Sequence, residues 1–94
     1  MALKLIVSNK AQRQIINILE FYTERNKSEV YSKRLFRGFQ KIFSLLKQRP
    51  FIGKKTSIED VYVMIWGQFY IFYNFTETEL NIITIKHQKE NVSL

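Results

Sequence analysis

The spacing of hydrophobic positions changes period along the chain. Residues 3–7 alternate around Lys4 and run into Ser8, which predicts a short opening strand with Ser8 as the N-cap of a helix. Ala11, Ile15, Ile18, Leu19 and Tyr22 then recur at helical spacing, with Lys10, Arg13, Gln14, Asn17 and Glu24 opposite them. That pattern is an amphipathic helix, fraying around Arg25 to Lys27. Ser28 is placed to cap a second helix with Glu29 in its first turn, and Tyr31, Leu35, Phe39, Ile42 and Leu46 form its apolar stripe. Arg49 ends that helix, because the residue before a proline is pushed out of helical geometry.

The second half reads as strands. Residues 51–59, with Gly53 and Lys54-Lys55-Thr56-Ser57, form a polar connection. Residues 61–66 and 69–75 are rich in β-branched and aromatic side chains around Gly67-Gln68, the signature of a hairpin with a type II′ turn. After a turn at 76–79, residues 80–86 supply a last strand, and the tail from His87 is polar. The prediction is one α+β domain over residues 1–94, of order β-α-α-β-β-β. Its sheet is mainly antiparallel, with a helical hairpin packed on one face.

The predicted turn sets the hairpin register. Trp66 faces Phe69, Met64 faces Ile71 and Tyr62 faces Tyr73 on one side, with Ile65 against Tyr70 and Val63 against Phe72 on the other. Both faces are therefore apolar, and one helical hairpin covers only one of them. The second is left for a partner chain, or for the tail or the Phe51 loop of the same chain.

Composition narrows the class. The 94 residues contain no Cys and one His, which excludes disulfide frameworks, thiolate chemistry and a multi-His metal site; no cofactor is implied. The longest apolar run, residues 61–66, is far short of the roughly 20 residues needed to cross a bilayer. No secretory leader pattern opens the chain, so the expectation is a cytoplasmic protein without a membrane partner.

Net charge is +7, and it is unevenly placed. Residues 1–55 carry 13 basic and 3 acidic side chains, whereas 56–94 carry 2 basic and 5 acidic. No acidic residue lies between Val30 and Ile58, where Lys33, Arg34, Arg37, Lys41, Lys47, Arg49, Lys54 and Lys55 fall. Half of the aromatic residues lie within 62–75. A basic segment thus adjoins an aromatic one, and the basic segment attracts polyanions or acidic proteins.

The order of elements and several strings together resemble the RelE/ParE superfamily, the toxins of type II toxin–antitoxin systems. The strings are the opening Leu3, Leu5 and Val7; Leu46 followed by Arg49-Pro50-Phe51-Ile52-Gly53; Phe69-Tyr70-Ile71-Phe72-Tyr73; and Ile82-Ile83-Thr84-Ile85-Lys86-His87. The resemblance implies a small helix-and-sheet domain, a plasmid-stabilisation role and growth inhibition. It also implies a cognate, often acidic, antitoxin wrapped over the free surfaces; a second copy of the chain is another candidate partner. RelE-like members are ribosome-dependent mRNA endoribonucleases that use cations on the sheet, whereas ParE-like members inhibit DNA gyrase by binding. Here Tyr62 and Tyr70 stand where RelE-like members often have arginine, and Gln88 follows the terminal His87. The ParE-like, non-enzymatic branch is therefore preferred, with RelE-type cleavage, or partner binding without toxicity, as alternatives.

Cleavage would require His87 as general acid or base and Lys54, Lys55, Lys86 and Lys89 as phosphate ligands. A binding function would use the same lysines with Tyr70, whose ring can stack, and with Arg37 and Lys41, one helical turn apart beside Lys33 and Arg34. His87 as a polar strand end, and Lys33, Arg34, Arg37 and Lys41 as a solvated face of the second predicted helix, are the plainer readings of the same residues.

Overall fold

The computed structural model describes residues 2–88; Lys89 and the rest of the predicted polar tail lie outside the described residues. Strand β1 (Lys4–Val7) leads through Ser8 into helix α1 (Asn9–Asn26). The Ser8 hydroxyl accepts the N–H of Ala11 at 3.0 Å, as an N-cap does, and donates to the carbonyl of Ile83 at 2.7 Å. Lys27 closes the helix in the left-handed conformation (φ 52°), its N–H returning to Glu24.

Helix α2 (Val30–Gln48) starts two residues after the predicted cap. Glu29 occupies the N-cap position without a side-chain bond, and Ser28 instead accepts the N–H of Val30 at 3.2 Å. The buried stripe is Ser32, Leu35, Phe39, Phe43 and Leu46. Phe43 joins the predicted Ile42, which packs half-buried against the core, and Ser32 takes the place of the exposed Tyr31, because the two helices approach closely at Ser32. There its hydroxyl donates to the carbonyl of Leu19 (2.8 Å) and lies 2.6 Å from that of Thr23. Arg49 ends α2 at φ −134°, as Pro50 requires.

A 3-10 turn at Pro50–Ile52 follows, then strands β2 (Lys54–Lys55), β3 (Tyr62–Trp66), β4 (Phe69–Phe75) and β5 (Glu79–His87). The predicted polar connection therefore contains a two-residue edge strand, closed where the N–H of Thr56 bonds the carbonyl of Val61 at 3.0 Å. Strand order is β1-β5-β4-β3-β2, antiparallel except for the parallel pair β1 and β5. The β3–β4 register is the predicted one at all five pairs, from Trp66 against Phe69 to Tyr62 against Tyr73. Gly67 adopts φ 56° and Gln68 does not, the combination a type II′ turn demands.

The helices cover the face that carries Trp66, Phe69, Ile71 and Tyr73. Phe39 of α2 meets Trp66 edge-on at 4.9 Å and Phe69 at 5.4 Å, and Leu80, Ile82 and Ile85 extend the same core across β5. A bulge between Phe72 and Tyr73 adjusts the β4–β5 register, so that Tyr73 meets Ile82 while Ile71 meets Ile85. Beyond the end of β1, side chains of the Ser8–α1 segment finish the edge of β5. Gln14 accepts the N–H of Ile85 (2.8 Å) and the hydroxyl of Thr84 (3.0 Å), beside the Ser8 bond to Ile83.

The second face is graded rather than uniformly open. Phe72 is 4% exposed, Val63 and Tyr70 are half-buried, and Ile65 is 51% exposed. The Phe51 loop does not lie on this face. Phe51 meets Phe75 edge-on at 4.9 Å, on the helix side, and the loop is fixed there by Tyr73, whose buried hydroxyl donates to the Pro50 carbonyl (2.7 Å) and accepts the Gly53 N–H (2.9 Å).

Candidate functional site

The residues proposed for phosphate chemistry sit on strands whose side chains alternate between faces. On β5, Lys86 lies opposite Tyr70 on the outer face, whereas His87 lies opposite Phe69 on the helix side. There His87 meets the Phe69 ring edge-on at 5.4 Å, with Nε2 2.8 Å from Gln68 Oε1. On β2, Lys54 pairs with Val63 and shares the outer face, while Lys55 pairs with Tyr62 on the other; both are exposed. Tyr70 and Lys86 are thus cross-strand neighbours with Lys54 farther out on the same face. Arg37 and Lys41 are exposed on α2, which packs on the opposite face. Lys89 lies outside the described residues.

Tyr62 and Tyr70 fall on opposite faces, as the register predicts. Tyr62 stacks on Tyr73 at 5.7 Å and packs at 5.2 Å against Phe75, so it belongs to the core margin. Burial pushes the Tyr73 hydroxyl above its ordinary pKa, partly offset by the Gly53 hydrogen bond.

Two concavities flank the helices. A cleft of about 700 Å³ lies where the end of α1, the start of α2 and the β4–β5 ends meet, with Tyr22, Tyr31, Arg25, Gln68 and His87 in its wall. Its aromatic side is an edge-to-face chain: Phe21 on Tyr22 and Tyr22 on Tyr31, each at 5.0 Å, with the Arg25 guanidinium 6.0 Å from the Phe21 ring. A second groove, about 480 Å³, runs between α1 and α2 on the side away from the sheet, over Leu19, Thr23, Ser32, Phe36 and Arg37. Sequence reasoning missed both. Their signal was the apolar residues that fall off the predicted stripes: Phe21 on α1 and Phe36 on α2, which are 54% and 46% exposed.

Cleavage of a phosphodiester requires an acid–base group and cations converging within hydrogen-bond reach of one phosphate. Here the sheet stands between His87 and Lys86. Strands β3 and β4 carry neither Lys nor Arg. Among the described residues no cluster of three His, Asp or Glu could hold a metal ion, and no helix is long and apolar enough to cross a membrane.

The model of the ParE toxin of type II toxin–antitoxin systems, parDE, matches residues 5–92. The chain belongs to this family. Two solved structures share the ParE-family chain's fold. One is the toxin–antitoxin complex RelBE2 from Mycobacterium tuberculosis, with a TM-score of 0.68 at 15% identity, covering 93% of this chain and 99% of that one. The other is the chromosomal ParDE system of P. aeruginosa, with a TM-score of 0.62 at 15% identity, covering 92% and 96%. No curated protein matches the sequence. The family places the chain among type II toxins, and the two neighbours establish the two-helix, five-strand fold.

Proposed function

We propose that this ParE-family toxin arrests growth by binding a cellular target, DNA gyrase, rather than by cutting RNA, and that a cognate antitoxin neutralises it by covering its surfaces. The observation that carries this reading is the separation of His87 from Lys86, Lys54 and Tyr70 by the sheet itself. A phosphate bound near Lys86 on the outer face is on the wrong side of β5 for the imidazole of His87. On β3, the position where RelE-like nucleases often carry arginine holds Tyr62, packed on Tyr73 and unable to supply a cation. Losing charged stabilisers of a phosphorane costs several kcal/mol of transition-state stabilisation, whereas a binding function needs only complementary surface.

The test is brief induction of the toxin followed by two assays on the same cells: primer-extension mapping of transcripts and detection of double-strand DNA breaks. Breaks with intact transcripts are the expected result, matched in vitro by inhibition of gyrase supercoiling. Fresh, ribosome-dependent mRNA cuts without breaks would overturn the proposal in favour of cleavage.

A further inference from the structure

The cleft where the helix ends meet the β4–β5 ends is walled by three aromatic rings. Tyr22 is half-buried, and Phe21 and Tyr31 each meet it edge-to-face, at interplanar angles of 85° and 75°. Both of these neighbours are exposed and line the cavity, so each offers it ring surface that the protein itself does not use. The sheet side of the cleft is polar. There His87 Nε2 lies 2.8 Å from Gln68 Oε1, an arrangement that occupies the carbonyl of Gln68 and leaves its amide N–H groups to donate elsewhere. Arg25 and Asn26 close the α1 end. A cation in the last turn of a helix is ordinary, but this one lines a cavity whose wall holds no Asp or Glu. Among the described residues the ion pair is Glu29 with Lys33, which leaves Arg25 without a carboxylate partner. Its guanidinium is 6.0 Å from the Phe21 ring, so an acid group bound to it stands beside that ring.

We infer that this cleft binds a small planar aromatic acid, its ring against Phe21 and Tyr31, its carboxylate on Arg25 and a polar ring atom within reach of the Gln68 amide. At about 700 Å³ the cleft has the size of a small-molecule site, and it has the usual make-up of one: aromatic walls with a few placed polar groups. Ring and charge together select the occupant. An organic cation would suit the rings but not the guanidinium. A nucleic-acid backbone is held by several cations at once and meets one here. A second copy of this chain, at net charge +7, would bring further cations towards Arg25. Residues 89–94, which follow the His87 wall in the chain, contain no aromatic ring. An aromatic acid satisfies the rings and the guanidinium in one molecule. This assignment is independent of the proposed toxin function.

The test is an NMR titration of the intact protein with indole-3-acetate as the probe. Two analogues accompany it: indole-3-acetamide keeps the ring and loses the charge, and cyclohexylacetate keeps the charge and loses the aromatic ring. The expected result is saturable binding of indole-3-acetate, with shift changes at Tyr22, Arg25, Tyr31 and Gln68, and binding of each analogue weaker by about fivefold to tenfold. Arg25→Gln, at an exposed position, should weaken the acid by a similar factor and leave the amide unchanged, because only the acid uses the guanidinium. Tyr31→Leu should weaken both indoles, with the circular dichroism spectrum of each variant unaltered. Absence of saturation up to about 10 mM, equal binding of the three probes, shifts confined to Ile65 and Tyr70, or equal weakening of acid and amide by Arg25→Gln would each overturn the inference. Because the titration does not read growth, absence of toxicity in cells would count against the proposed function and not against this site.

Discussion

Trp66 occupies the space where a side chain on Gly38 would be: a Cβ built at Gly38 lies 2.2 Å from the indole Cζ2 and 2.3 Å from Cη2. The glycine sits in the interior of α2, where it costs about 1 kcal/mol of helix propensity relative to alanine. That cost is accepted because α2 then approaches the sheet closely enough for Phe39 to meet both Trp66 and Phe69.

Gly38→Ala is therefore expected to destabilise, despite the helix gain. Overpacking against a ring wedged between Phe39 and Phe69 costs about 1–3 kcal/mol, leaving a net loss of roughly 1 kcal/mol after the gain of about 1 kcal/mol in propensity. Urea denaturation followed by Trp66 fluorescence measures it, and a raised midpoint would refute the close-approach account.

Tyr73→Phe should cost about 1–3 kcal/mol. It removes one hydroxyl and leaves the Pro50 carbonyl and the Gly53 N–H without that partner. The fold should survive, with the Phe51 loop loosened, and amide hydrogen exchange at Gly53 should accelerate. Unchanged exchange there would show that the hydroxyl does not anchor the loop.

The same tyrosine sets a pH dependence. Burial raises its pKa in the folded state, so the folded chain holds this proton more tightly than the unfolded one. The resulting contribution is fully present below the unfolded value of about 10 and is lost as pH climbs above it, through the folded pKa. Wild type should thus lose stability more steeply than Tyr73→Phe above pH about 10; parallel curves would contradict this.

Lys27 carries a positive φ of 52° at the end of α1, a conformation that disfavours any residue with a Cβ. Lys27→Gly should stabilise by a few tenths to about 1 kcal/mol, read as a small rise in thermal midpoint. A fall would mean that the lysine side chain contributes a contact outweighing the backbone relief.

His87→Ala separates the two modes of toxicity. Binding predicts undiminished growth arrest with an intact fold, because the imidazole touches Phe69 and Gln68 on the helix side, away from Lys86. Abolished arrest in a folded variant would return His87 to a catalytic role.

Part of the site was legible before any tertiary information. Alternation of period two puts Tyr62 and Tyr70 on opposite faces, as the structure has them, whereas the opposition of Lys86 to His87 and of Lys54 to Lys55 emerged only when β5 ran on to His87 and the predicted polar connection formed β2. The grooves were not legible, because each forms between elements: Leu19 meets Phe36, and Tyr22 meets Tyr31, only once the helices pack.

Short-range physics was enough for the Ser8 cap, the stop at Arg49, the Gly67-Gln68 turn and the full β3–β4 register, since each depends on a few neighbouring dihedrals and on side-chain alternation. Alternation says which residues share a face but not which face is buried when both are apolar. Only packing decided that Trp66, Phe69 and Tyr73 meet the helices and that Ile65 and Tyr70 do not. The parallel pairing of β1 with β5 and the capping of β5 by Ser8 and Gln14 join residues more than 65 positions apart. No local pattern encodes such contacts, because they form only when the whole chain closes on its core.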